Sequence, residues 1–183
     1  MVLVEIETIN VEILAGEHLT DAFTKTSPLN RLPFLELDDG TQIFETIAVC
    51  QYIEALHEEP NLMGREPLEK ALITMRQRQI EIELFHRVQH AMRHCHPSLA
   101  IIEKPQIKEW GEANKPKAEK TLDWLEGLLK DHDYCAGDRF TIADITLLCS
   151  LDFAKHARIN IFEGRENLTK WYEKISTRPS AKA

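Results

Sequence analysis

The chain changes rhythm near residue 60. Before it, apolar positions recur at every second residue in short runs broken by turn residues. After it, they recur every three or four residues over long stretches. The first rhythm belongs to strands with alternating faces, the second to amphipathic helices. Val4, Ile6 and Thr8 alternate with Glu5 and Glu7, and Ile9, Val11 and Ile13 continue on the other parity. A strand over residues 4–13, bulged or ending near Thr8, is expected. Residues 16–25 read as a turn leading into a short helix. Residues 33–37 predict another strand, Asp38-Asp39-Gly40 a hairpin turn, and residues 41–44 the returning strand. Ile47, Cys50, Ile53 and Leu56 then mark a helix face, widened by Val49 and Tyr52.

The polar stretch from His57 to Gly64 contains Pro60 and Gly64, as a linker would. It divides the chain into an expected first domain, residues 1–59, and a second, residues 66–183. The second reads as helix throughout. Leu68, Leu72 and Met75, then Leu84, Val88, Ala91 and Cys95, predict one long helix. Leu122, Leu125 and Leu129 predict the next, with Pro116 near its start or kinking it. Residues 141–157 are apolar nearly all round, as in a helix buried at a domain centre. Thr141 and Asp144 are spaced for a capping box at its start. Leu168, Trp171, Tyr172 and Ile175 mark the last helix, and Pro179 follows its end.

Composition narrows the function. Of 183 residues, 43% are apolar and 28% charged, which is ordinary for a globular chain. The net charge of -8 disfavours nucleic acid as a partner, since that needs a basic stripe. No apolar run approaches the ~18 residues a membrane span requires. Acids near the start stand where a signal peptide would carry Lys or Arg. The four cysteines (Cys50, Cys95, Cys135, Cys149) form no CxxC pair, so reduced thiols and a cytoplasmic location are expected. Cys50 and Cys149 sit in apolar helical runs and read as buried packing.

The stretch Ala15-Gly16-Glu17-His18, then Ser27-Pro28-Leu29-Asn30-Arg31-Leu32-Pro33-Phe34-Leu35-Glu36-Leu37-Asp38-Asp39-Gly40-Thr41, then Glu45-Thr46-Ile47-Ala48, resembles the thioredoxin-like domain of glutathione transferases. Gly137-Asp138-Arg139-Phe140-Thr141-Ile142-Ala143-Asp144 and the ending Arg178-Pro179-Ser180-Ala181 resemble the helical domain of bacterial-type members. The resemblance implies an α/β, thioredoxin-like glutathione-binding domain, incomplete at its N-terminus, followed by an all-α C-terminal domain. It implies conjugation of glutathione to small hydrophobic electrophiles, a detoxification chemistry, and a homodimer. The nucleophile belongs to glutathione, the co-substrate, so no cofactor and no metal are implied.

At matching positions the resemblance gives Pro33 a cis bond and has the Leu32 backbone meet the cysteinyl part of glutathione. Thr46 would hold the γ-glutamyl carboxylate at a helix N-terminus, where free N–H groups and partial positive charge favour an anion. Glu45 would accept from the neighbouring ammonium. The plainer alternative is that Thr46 caps the helix and Glu45 complements its dipole. Asn30 stands where the family typically has Gly, and Asn tolerates a left-handed backbone.

In the family, a strand and helix precede the segment that residues 4–13 resemble. The Tyr, Ser or Cys that hydrogen-bonds the glutathione thiol lies there. The catalytic residue is therefore expected to lie outside this chain. Residues 1–30 are expected to be loosely held or re-paired non-natively, with the helical domain carrying the stability. A thiol of pKa ~8.5 needs about 2.7 kcal/mol of thiolate stabilisation to drop ~2 units. One charge-assisted hydrogen bond supplies ~1.5–3 kcal/mol of that, so losing the donor removes most of the activation. Ser27 and Thr26 are the nearest substitutes by position. A second reading is a non-catalytic glutathione-binding or protein-interaction module. His86, His90 and His94, spaced by four, raise a metal site against an ordinary helix end; the helix end is preferred. Tyr134, Phe153 and Trp171 read as core residues rather than an electrophile pocket.

Overall fold

Asp39 and Gly40 turn the chain back on itself. Gly40 adopts φ +82° and donates its N–H to the Leu37 carbonyl, while the Asp39 carboxylate accepts from the Thr41 N–H at 2.8 Å. The turn closes an antiparallel hairpin of β1 (Leu35–Glu36) and β2 (Gln42–Ile43), in the register Leu35↔Ile43 and Glu36↔Gln42. Helix α1 (Asp21–Thr26) precedes it, started by the Thr20 hydroxyl accepting from the Phe23 N–H. Helix α2 (Thr46–Leu56) follows it. The computed structural model describes residues 6–182, and the chain divides into two compact units, Met1–Asn61 and Leu62–Ala183.

The strand expected over residues 4–13 is not formed in its described part, residues 6–13; Val4 and Glu5 lie outside the described residues. A strand needs a neighbour to receive its N–H and C=O groups. Among the described residues the two-stranded sheet pairs only with itself. Ile9 is accordingly 82% exposed, and Ile6 and Ile13 are exposed as well. Among the described residues of this unit no apolar side chain is fully buried; the buried ones are His18 and Ser27. The apolar core lies in the second unit.

That unit opens with one long helical run: α3 (Pro67–Ile80), a π-helical segment (Glu81–Phe85) and α4 (His86–Cys95). Pro67 fits the first turn, where its missing N–H costs nothing. Then come α5 (Lys108–Leu129), α6 (Ile142–His156) and α7 (Glu166–Ser176). Ile80, Leu84, Val88 and Ala91 pack with Leu122 and Leu125 of α5, Leu147 and Leu151 of α6, and Leu168 and Ile175 of α7. A fully buried Leu or Ile contributes about 1.5–3 kcal/mol relative to exposure, so this cluster dominates stability.

Two expectations about faces need correction. The buried stripe of α3 is Ile73, Gln77 and Ile80, whereas Leu68, Leu72 and Met75 are exposed. Gln77 interrupts the apolar pattern, yet it is buried because its amide donates to the Glu81 carboxylate at 2.8 Å. Cys149 is exposed and Cys50 half-buried, because the apolar run of α6 is wider than the face its neighbours cover.

Helix α6 starts as its sequence predicts. The capping box is present: Asp144 Oδ2 accepts from the Thr141 N–H at 2.9 Å and from its hydroxyl at 3.1 Å. Asp144 Oδ1 accepts from the Cys135 N–H at 2.9 Å and the Trp171 indole N–H at 3.2 Å. One fully buried carboxylate therefore ties the helix start to the preceding loop and to α7. Pro116 lies inside α5 rather than at its start.

Candidate functional site

The hairpin brings the candidate residues to one end. Leu35 faces Ile43, and one step outward Phe34 meets Phe44 with ring centroids 5.2 Å apart. Beyond that pair, Leu32 and Pro33 lead into β1, and Glu45 and Thr46 leave β2 for α2. All four occupy the open end of the hairpin, where β2 passes into α2. Phe23 of α1 contacts the Phe34 ring edge to face at 6.3 Å and supports that end from below.

The backbone there is specialised. The Leu32–Pro33 peptide is cis. Glu45 adopts φ 66° and ψ 117°, outside the regions open to ordinary residues and costing about 1–3 kcal/mol. Such a conformation reaims the chain so that α2 begins directly after the strand. Glu45 is the N-cap residue and Thr46 the first helical position, and no side chain caps the helix. The plainer alternative, Thr46 as a cap, is therefore not what the geometry shows. Both side chains are exposed and neither has a hydrogen-bond partner among the described residues. The first N–H groups of α2 stand open beside a carboxylate and a hydroxyl.

Behind this end, Asn30 takes φ 53°, the left-handed backbone allowed to Asn. With its amide nitrogen turned inward, it donates to the Thr24 hydroxyl at 2.9 Å and to the His18 and Ser27 carbonyls at 3.1 Å each. Asn30 thus does more than replace Gly: its side chain fastens the loop. Ser27 is buried, its hydroxyl donating to the Arg31 carbonyl and accepting from the Arg31 N–H, both at 3.1 Å. Sequence reasoning gave His18 no role. It is buried, and its Nδ1 has no partner among the described residues. The only sequence signal was a histidine inside an otherwise ordinary turn.

Comparison with known proteins identifies the family. Residues 4–61 match the profile of the glutathione S-transferase N-terminal domain, and residues 90–179 that of the C-terminal domain. Glutathione S-transferase 2 of Saccharomyces cerevisiae is 36% identical over 181 residues, spanning 98% of this chain and 78% of that protein. This chain belongs to the glutathione S-transferase family. The crystal structure of Gtt2 from Saccharomyces cerevisiae superposes with a TM-score of 0.90 at 37% identity, covering 95% of this chain and 84% of that one. A glutathione S-transferase domain-containing protein of Marinobacter aquaeolei also gives 0.90 at 35% identity, covering 94% and 84%. The fold is that of the family, a thioredoxin-like unit followed by a helical one.

Within this glutathione S-transferase fold the chain's own thiols are poor nucleophiles. Burial pushes up the Cys50 thiol, helped by Glu54, and the Cys149 thiol, helped by Asp152. Burial and a bond to Glu112 raise Cys95, and burial beside Asp144 raises Cys135 well above its ordinary value. The thiolate is the reactive form, so none of the four is poised to attack a substrate. Nor is the Ser27 hydroxyl free, since both its hydrogen bonds hold the loop.

The other sequence candidates scatter over the helical unit. His90 and His94 stack at 6.1 Å, and His94 Nδ1 accepts from the Ile107 N–H at 3.0 Å, fastening α5 to α4. Burial, with help from His94 and His86, lowers the His90 pKa. No three His, Cys, Asp or Glu side chains are grouped to hold a metal among the described residues. Trp171 is core and Tyr134 half-buried, but Phe153 is 45% exposed, so the core reading fails for Phe153. Among the described residues no helix is long and apolar enough to cross a membrane.

Proposed function

We propose that this protein binds glutathione at the open end of the hairpin and serves conjugation of its thiolate to small hydrophobic electrophiles, a detoxification chemistry. One observation carries the reading: Leu32 and Pro33 enter the hairpin at the end where Glu45 and Thr46 leave it, beside an uncapped helix start. The first N–H groups of α2 and the Thr46 hydroxyl receive the γ-glutamyl carboxylate, favoured by the helix dipole. Glu45 accepts from the adjacent ammonium, and the Leu32 backbone pairs with the cysteinyl residue. The thiol gives its proton to solvent, and the thiolate sulfur attacks the electrophilic carbon; as the S–C bond forms, the leaving group departs with its bonding pair or, in an addition, the π pair moves onto the acceptor and is protonated. No cofactor or metal enters. The hydroxyl or thiol that would steady the thiolate is assigned to no residue of this chain.

We propose also that the protein is a cytoplasmic homodimer. The exposed Leu68, Leu72 and Met75 of α3 support this reading. Spaced by four and then three residues, they share one face of the helix and leave it apolar.

Calorimetric titration of glutathione tests the site. Wild type should bind, and Glu45→Ala should weaken binding about ten- to hundredfold through loss of a charge-assisted hydrogen bond. A folded wild-type protein that ignores millimolar glutathione would sink the transferase reading and leave a non-catalytic module.

A further inference from the structure

The formal charge of -8 is not spread evenly along the chain. Residues 1–61 hold 12 Asp and Glu against Lys25 and Arg31 alone, whereas residues 62–183 hold 18 against 20 Lys and Arg. The second unit is thus slightly basic, and three of its cations line one cleft. The cleft, of about 520 Å³, runs between the long helical run and α5. Gln79, Glu83 and Arg87 form one wall, and Lys117, Lys120 and Trp124 the other. That volume falls within the ~300–1,000 Å³ of small-molecule sites. The Thr121 hydroxyl of α5 donates to the Glu83 carbonyl at 3.0 Å and joins the two walls. Glu83 belongs to the π segment, a kind of turn found often at functional sites.

Three cations meet a single carboxylate here. Lys117 and Lys120 form no ion pair among the described residues. The Lys117 ammonium lies 5.1 Å from the centre of the Trp110 ring, which holds it without neutralising it. Arg87 is under-bonded. Its Nη1 reaches Asn114 and its Nη2 reaches Glu83 at 3.5 Å each, the outer limit of a hydrogen bond. Its buried Nε has no partner among the described residues. A buried donor without an acceptor is costly, and a bound oxygen removes that cost. Gln79 accepts from Arg76 at 3.0 Å, while its own NH2 donates to nothing among the described residues. Trp124, 40% exposed, carries the Arg76 guanidinium 4.9 Å from its ring centre on one face and leaves the other to a flat guest.

We propose that this cleft binds a phosphate monoester of a flat ring compound, the chemistry of a nucleoside monophosphate. Lys117, Lys120 and Arg87, less Glu83, leave two positive charges, which match a phosphoryl dianion. The phosphoryl oxygens take the two ammonium groups and the Arg87 fork. The ring stacks on Trp124, and the Gln79 amide donates to its edge. The step is binding alone; no bond is made or broken. Every residue invoked lies in the second unit, so the proposal rests on neither the glutathione site nor the transferase reading.

Calorimetry at low salt with adenosine monophosphate (AMP), adenosine and inorganic phosphate tests this on the full chain, without glutathione. AMP should bind wild type about tenfold or more tighter than either fragment, because it alone engages both the cations and the ring. Lys120→Glu should weaken AMP about tenfold or more. Lys170→Glu makes the same charge change at an exposed position of α7 and should stay within about twofold of wild type. Trp124→Leu should bring AMP down to the level of inorganic phosphate and leave phosphate itself unchanged. A folded wild type that gives no heat with millimolar AMP overturns the proposal. So does AMP bound no more tightly than phosphate, which would mark an adventitious ion only, and so does a Lys170→Glu variant as weak as Lys120→Glu. Should Trp124→Leu fail to fold, the two lysine variants and the three-ligand comparison decide by the same criteria. A protein that binds AMP in this pattern but ignores glutathione keeps the cleft and loses the transferase reading; one that binds glutathione but not AMP does the reverse.

Discussion

Replacing Asp144 with Ala removes a carboxylate that is fully buried and accepts four hydrogen bonds. The Thr141 hydroxyl can turn to another acceptor, but three donors cannot: the Cys135 N–H, the Thr141 N–H and the Trp171 indole N–H. A buried donor left without a partner costs about 1–3 kcal/mol. With some relaxation around the site, the loss should be about 3–6 kcal/mol, a large part of the ~5–15 kcal/mol that stabilises a typical domain. Asp144→Asn is milder. It keeps one acceptor oxygen for Cys135 and Trp171 but sets an amide NH2 against the Thr141 N–H, so about 1–3 kcal/mol is expected. Urea unfolding followed by tryptophan fluorescence measures both, with Trp171 itself reporting on the hub. A loss below about 1.5 kcal/mol for Asp144→Ala would refute the reasoning, as would an Asn variant as unstable as the Ala one.

At Gly111, an added Cβ would collide with Cys95 Sγ and lie 3.0 Å from His94 Cβ. Gly111→Ala should therefore cost about 1–3 kcal/mol by thermal melting, and adding Cys95→Ala should recover most of it. Glu69 accepts from the Arg65 N–H at 2.8 Å and from Arg139 at 2.6 Å, and these partners, Arg65 first, hold its carboxyl below the usual range. A depressed folded-state pKa adds stability that is present above the unfolded value and is lost as pH falls through the folded one. The urea midpoint should thus fall on acidification through and below the ordinary carboxylate range, and Glu69→Gln should flatten that limb.

The hairpin, the cap of α6 and the helix face of α7 were legible because local chemistry fixes each. Asp39-Gly40 selects the turn, Thr141 with Asp144 selects the helix start, and Leu168, Trp171 and Ile175 leave one face to bury. The candidate site residues rest on family resemblance, and their place at one end of the hairpin could be counted from the turn. What failed depended on neighbours. Residues 6–13 carry a strand pattern but have no pairing partner among the described residues, and a sequence does not display its partners. The stripe of α3 was misjudged because Gln77 is buried through a bond to Glu81. Phe153 was taken for core because an apolar helix does not declare which side stays uncovered. The π segment left no mark that periodicity could detect, since one extra residue in a turn looks like noise in the spacing.

The condition of the four thiols bears on durability. In the proposed function, the protein spends its life in the presence of compounds that alkylate sulfur. Alkylation runs through the thiolate, and every cysteine described here is pushed toward the protonated form. Cys135 is shielded by burial as well. Self-modification is thereby slowed relative to reaction of free glutathione, so the protein can survive many exposures to the molecules it disposes of. Cys149, the exposed one, is the thiol such compounds reach most readily.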